Sequence, residues 1–132
     1  LDRGHSVGHE TMFDVASLTK RVVAYIAHQL ADGGVLDLDE PLSAVLRKGM
    51  PAELAGSSIT ARHVLTHTSG LPNLRGKEQW KTFFAPGSWF SYSSTGFGLL
   101  QMALEAATRE PLEALGQRLV FDPLGMESSS FQ

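Results

Sequence analysis

The chain has 132 residues, a formal net charge of −3 and no cysteine. That length fits a single domain over residues 1–132, and the missing cysteine excludes a disulfide framework, a thiolate metal site and a thiol nucleophile. With no basic block and no apolar run approaching about 18 residues, the chain lacks the footprint of a nucleic-acid binder and of a membrane span, which leaves a small molecule or peptide as the partner.

Residues 1–14 are polar and rich in glycine and histidine, and are expected to be irregular. They contain Gly4-His5-Ser6-Val7-Gly8, formally a G-x-S-x-G. A nucleophile elbow needs a buried strand before it and a helix after it. Only three residues precede Gly4 and a polar loop follows, so this match is set aside. No basic segment followed by an apolar core is visible here, so no signal peptide is read. Cytoplasmic and periplasmic or secreted locations both stay open.

Next comes Phe13-Asp14-Val15-Ala16-Ser17-Leu18-Thr19-Lys20, which runs into the helical apolar pattern Val22-Val23-Ala24-Tyr25-Ile26-Ala27. Ser17 can be read as a helix N-cap. A capping box, however, would place Glu or Gln three residues on, where Lys20 instead sets a cation beside the positive end of the helix dipole. The alternative is a nucleophile. Residues three apart share a helix face, so the Lys20 amine reaches the Ser17 hydroxyl and, in dry surroundings, can take its proton. The helix is expected from Ser17 to about Ala31, stopped by Asp32-Gly33-Gly34. Its apolar residues spread around much of the circumference, so it is expected to be central and buried.

Val35 to Pro41 reads as a connector into a short helix with Pro41 at its first position. Asp37 and Asp39 are read as caps and turn residues, since no further carboxylate cluster completes a metal site. A second short helix is expected over Thr60–His67, capped by Ser58 or Thr60. His63 and His67 lie one turn apart at a spacing that can bind zinc, but the Glu of H-E-x-x-H and a third ligand are missing. They are read as hydrogen-bonding loop backbone near the site, and no metal or other cofactor is assigned.

Residues 73–84 are polar with interspersed aromatics, and Ala85-Pro86-Gly87-Ser88 makes a turn. A helix from about Thr95 to Thr108 follows, capped by Ser93 or Ser94, which puts Tyr92 at a loop-to-helix junction where a phenol can shuttle a proton. The other reading of Tyr92 is a packed aromatic bonded to backbone. A last helix runs from Glu110-Pro111 to about Phe121. The sum is mainly α, five or so helices with little or no β-sheet.

These residues resemble the serine β-lactamase and penicillin-binding-protein-like superfamily, nearest to class C β-lactamases and the related esterases. The likeness is carried by Phe13–Lys20, Gly34-Val35-Leu36-Asp37-Leu38-Asp39, His63-Val64-Leu65-Thr66-His67-Thr68-Ser69-Gly70-Leu71-Pro72, Pro86-Gly87, Tyr92-Ser93 and Pro123-Leu124-Gly125-Met126, in the family's order. It implies the helical lobe of the β-lactamase/transpeptidase-like fold. It also implies Ser17 as the acylated serine, Lys20 as its partner and Tyr92 as the tyrosine that acts as or with the general base. Ser94 stands where the family's Tyr-x-Asn motif has Asn, and there it could donate to a substrate amide with shorter reach. No Lys, His or Trp follows Tyr92, so the family's Lys-Thr-Gly or His-x-Gly motif, on the strand that supplies half the oxyanion hole, is not in this chain. Losing one such donor costs about 10²–10³ in rate, which favours a reactive ester or β-lactam over a peptide. Three readings follow. The first is a serine hydrolase working through an acyl-enzyme. The second is a non-catalytic truncated homologue that binds a cell-wall-like ligand or a partner chain. The third is a homo-oligomer that covers the face a missing sheet would leave.

Overall fold

The computed structural model describes residues 6–8, 11–73, 76 and 78–131. Among them are five α-helices and several 3-10 turns, with no strand, as the mainly-α reading expects. Only an isolated antiparallel bridge pairs Pro41 with Thr60.

The centre of the packing is α4, Ser94–Thr108. Leucine, methionine, alanine and glutamate, all strong helix formers, fill its last three turns. Ser93 caps it, the Ser93 hydroxyl accepting from the Gly96 amide at 2.8 Å. Leu99, Leu100, Ala103 and Leu104 are each 0% exposed, and four other helices lay buried leucine, valine and alanine against this face. Each such leucine contributes about 1.5–3 kcal/mol by its removal from water.

Helix α1, Thr19–Asp32, is not the central one that its composition suggests. Val23, Ile26, Ala27 and Leu30 are buried, a single stripe at the i, i+3, i+4, i+7 spacing of an amphipathic helix. Arg21, Tyr25 and His28 are exposed. The apolar spread misled because Val22, Ala24 and Tyr25 lie beside the stripe, on flanks no other described element covers fully. The expected glycine stop is there: the Gly33 and Gly34 amides close on Gln29 and Ala31, with Gly34 at φ +72°.

After Pro41 comes α2, Leu42–Leu46, then α3, Ala61–Leu65. Thr60 caps α3 in a reciprocal box with His63: the Thr60 hydroxyl accepts from the His63 amide, and His63 Nδ1 accepts from the Thr60 amide, both at 3.2 Å. Arg62 donates from Nε and Nη2 to the two carboxylate oxygens of Asp39 at 2.6 and 2.9 Å, bolting the connector to α3. Asp37 accepts from the Asp39 amide, so both carboxylates have turn and ion-pair roles. The final helix is interrupted. Helix α5, Leu112–Gly116, passes into a π turn over Gln117–Phe121. Gly116 sits against the Phe131 ring, where any Cβ would collide with it. Among the described residues no helix is long and apolar enough to cross a membrane, and no group of three or more His, Asp and Glu could hold a metal.

Candidate active site

The approach to α1 is an unusual piece of backbone. Asp14 Oδ1 accepts from the Ala16 amide at 2.8 Å, and Ala16 has φ +45°. For alanine that region costs about 1–3 kcal/mol, and such strain collects at functional sites. A 3-10 turn, Ala16–Leu18, then leads into α1, which begins at Thr19 with no side-chain cap. Ser17 is therefore not the N-cap. Its Oγ is exposed and accepts from Lys20 Nζ at 3.0 Å. Lys20 also lies 5.1 Å from the centroid of the Tyr92 ring and 5.8 Å from that of Phe97.

Tyr92, far from Ser17 along the chain, shares its groove because two loops are zipped together. The segment leading into α4 donates a series of hydrogen bonds to the segment after α3. The Phe83, Gly87 and Ser91 amides donate to the carbonyls of Gly70, Thr68 and His67 at 2.8–2.9 Å. The Ser93 hydroxyl donates to the Pro72 carbonyl at 2.9 Å, and the Ser94 amide donates to Asn73 Oδ1 at 3.0 Å. Gly70 is required here, since at φ +78° a Cβ would strike the Phe84 carbonyl. The result holds the Tyr92 phenol over the Ser17–Lys20 pair.

Electrostatics follow from that placement. The neighbouring Lys20 amine, and after it the Ser17 hydroxyl, holds the Tyr92 hydroxyl below the usual tyrosine range, helped by the Lys20 charge and by the Ser94 hydroxyl and opposed by desolvation. Favouring the phenolate is what a proton acceptor needs. His67 is pulled the other way in charge: partial burial, and then the Lys20 cation, lower its pKa and favour the neutral ring. Ser17, Lys20, Tyr92 and His67, with Val15, Leu18 and Arg21, line an open groove of about 460 Å3.

Ser17, Lys20 and Tyr92 thus share one groove although 72 positions of chain separate Lys20 from Tyr92, whereas Ser94 stands next to the Tyr92 hydroxyl and is not part of the groove lining. Ser6 and Gly8 of the G-x-S-x-G are exposed and line no part of this groove, and Gly4 and His5 lie outside the described residues. His63 and His67 each accept from a backbone amide, of Thr60 and Ser93 respectively. Three features carry no sequence signal of their own: the strained Ala16, the position of Asn73 beside Ser94, and Arg21 on the groove wall.

A family model described as Beta-lactamase matches residues 1–132. Esterase EstB of Burkholderia gladioli is 32% identical over 161 aligned positions, covering 98% of this chain and 41% of its own length. D-alanyl-D-alanine-carboxypeptidase/endopeptidase AmpH of Escherichia coli (strain K12) is 29% identical, with 92% of this chain and 37% of its own length covered. Among solved structures, a beta-lactamase/D-alanine carboxypeptidase from Yersinia pestis, complexed with citrate, superposes with a TM-score of 0.81 at 28% identity over 96% of this chain and 42% of that one. The chain spans about two-fifths of the length of these relatives.

Proposed function

This chain belongs to the beta-lactamase family, and from that premise we propose that it carries the acylating centre of a serine hydrolase acting on an ester or a β-lactam. The observation that carries the proposal is the convergence of three groups: Ser17 Oγ takes a 3.0 Å hydrogen bond from Lys20 Nζ, Lys20 Nζ lies 5.1 Å from the centroid of the Tyr92 ring, and all three line one groove. Relatives named as an esterase and as a carboxypeptidase/endopeptidase support the acyl-transfer class.

Tyr92, as phenolate, takes the proton of Ser17 as Oγ attacks the acyl carbon. The Lys20 cation orients Oγ and stabilises the phenolate it faces, so the base role falls to Tyr92 with Lys20 as its electrostatic partner. The tetrahedral oxyanion accepts a hydrogen bond from the Ser17 amide, an amide of the first turn before α1. Collapse expels the leaving-group oxygen or nitrogen, which receives the proton held by Tyr92. In the second half a water gives its proton to Tyr92, its oxygen attacks the acyl carbon, and Ser17 Oγ leaves and recovers the proton. Ser94, beside the phenol, is assigned to the substrate's amide or carbonyl edge. The open groove admits a small acyl group with its leaving group still in solvent.

Steady-state and burst kinetics with p-nitrophenyl acetate test this. A burst of p-nitrophenol close to one equivalent, followed by slower turnover and abolished by Ser17→Ala, is the expected result. A ligand that shields Ser17 from labelling with no burst and no turnover would instead make the groove a binding site alone.

A further inference from the structure

We propose that His67 is a positioning residue for Tyr92, gripping the chain on both sides of the phenol and supporting its ring from beneath. The inference rests on the base role assigned to Tyr92 above. Three contacts from one residue carry it. The His67 carbonyl accepts from the Ser91 amide at 2.8 Å, and His67 Nδ1 accepts from the Ser93 amide at 3.1 Å, so residues on each side of Tyr92 are held by the same side chain and backbone. The imidazole plane then lies 4.5 Å from the Tyr92 ring, centroid to centroid, tilted by 32°. Its own placement is fixed by Phe97 at 5.4 Å and by the edge contact with Phe90 at 5.9 Å.

The residue type is constrained three ways. His67 has φ +56°, a region where His, Asn and Asp are over-represented among non-glycine residues. The Ser93 amide must meet a lone pair, so Nδ1 carries no proton and the ring N–H sits on Nε2. The surface under Tyr92 must be flat and aromatic. Asparagine meets the first two demands and lacks the ring. Phenylalanine supplies the ring and lacks the acceptor. Only histidine meets all three, which separates a positioning role from a purely packing one.

The test reads Tyr92 directly. Tyr25 and Tyr92 are the only tyrosines, and Tyr25 is exposed on α1, so Tyr25→Phe leaves a single phenol to follow by its phenolate absorbance as pH is raised. In that background His67→Asn and His67→Phe are each expected to move the Tyr92 midpoint up toward that of free tyrosine. Each should also lower kcat for ester hydrolysis by up to about a hundredfold with little change in KM, as displacement of a catalytic group does. His67→Ala, lacking both features, should show the largest shift. A Tyr92 midpoint unmoved in both folded single variants overturns the proposal. If the unsubstituted protein hydrolyses no ester while the Tyr92 midpoint still depends on His67, the clamp stands and the hydrolase reading falls.

Discussion

Replacing Ser93 by alanine removes two hydrogen bonds at once, and its cost can be worked from the structure. Ser93 is 1% exposed, its hydroxyl accepting from the Gly96 amide at 2.8 Å and donating to the Pro72 carbonyl at 2.9 Å. Loss of the cap costs about 1 kcal/mol. The buried Pro72 carbonyl, left without its partner, adds about 1–3 kcal/mol, so the total is about 2–4 kcal/mol. With a urea dependence of about 2 kcal/mol per molar, the midpoint should fall by about 1–2 M. The assay is urea unfolding followed by tryptophan fluorescence and far-UV circular dichroism, with Ser94→Ala as the comparison. Ser94 was an equal candidate for the cap by sequence, but its side chain lies by Tyr92, so that variant should stay within about 0.5 kcal/mol of the parent. Equal losses in the two variants, or a larger one for Ser94→Ala, would refute both the cap assignment and the loop zipper built on it.

The remaining predictions concern the site and its loop. Because the neighbouring Lys20 and Ser17 side chains depress the Tyr92 pKa, kcat/KM for ester hydrolysis should rise with pH and level off with a midpoint below 10.0, the ordinary tyrosine value; a midpoint at or above it contradicts phenolate catalysis. Tyr92→Phe should retain the fold by circular dichroism while lowering kcat about 10²–10⁴-fold, and near-parental turnover would remove Tyr92 from the reaction. Gly70→Ala should destabilise by at least about 1–3 kcal/mol in thermal or urea unfolding, since φ +78° is strained for alanine and the new Cβ meets the Phe84 carbonyl. A neutral result there would show that the two loops are not locked as described.

Local rules were legible in the sequence wherever one residue type decides the outcome. The Gly33-Gly34 stop of α1, the Thr60 cap of α3 and the start of α4 at Ser93-Ser94 follow from capping chemistry. The departure from a capping box at Lys20 pointed correctly away from a capping serine: Ser17 Oγ faces Lys20 instead of the α1 amides. Tertiary choices were less visible. Whether α1 or α4 is central depends on which flank other elements cover, and Val22, Ala24 and Tyr25 give no hint that theirs is left open. The contacts that aim Tyr92 join residues far apart in the chain, His67 to Ser93 and Asn73 to Ser94, and each is a side chain meeting a backbone amide, which leaves no periodicity to read. The positive φ of Ala16 is likewise imposed by its surroundings, because alanine has no preference for it. The packing of the distant Phe131 ring on Gly116, at the junction of α5 and the π turn, is also a tertiary contact with no local signal.

The most direct test of the account is intact-mass spectrometry of the protein after incubation with p-nitrophenyl acetate and, separately, with a penicillin, alongside Ser17→Ala. The account predicts a single covalent adduct of one acetyl or one penicilloyl group, mapped to Ser17 by peptide digestion and missing from the variant. An adduct that persists in Ser17→Ala, or no adduct with either reagent at high concentration while the protein is folded, would contradict an acyl-enzyme at Ser17.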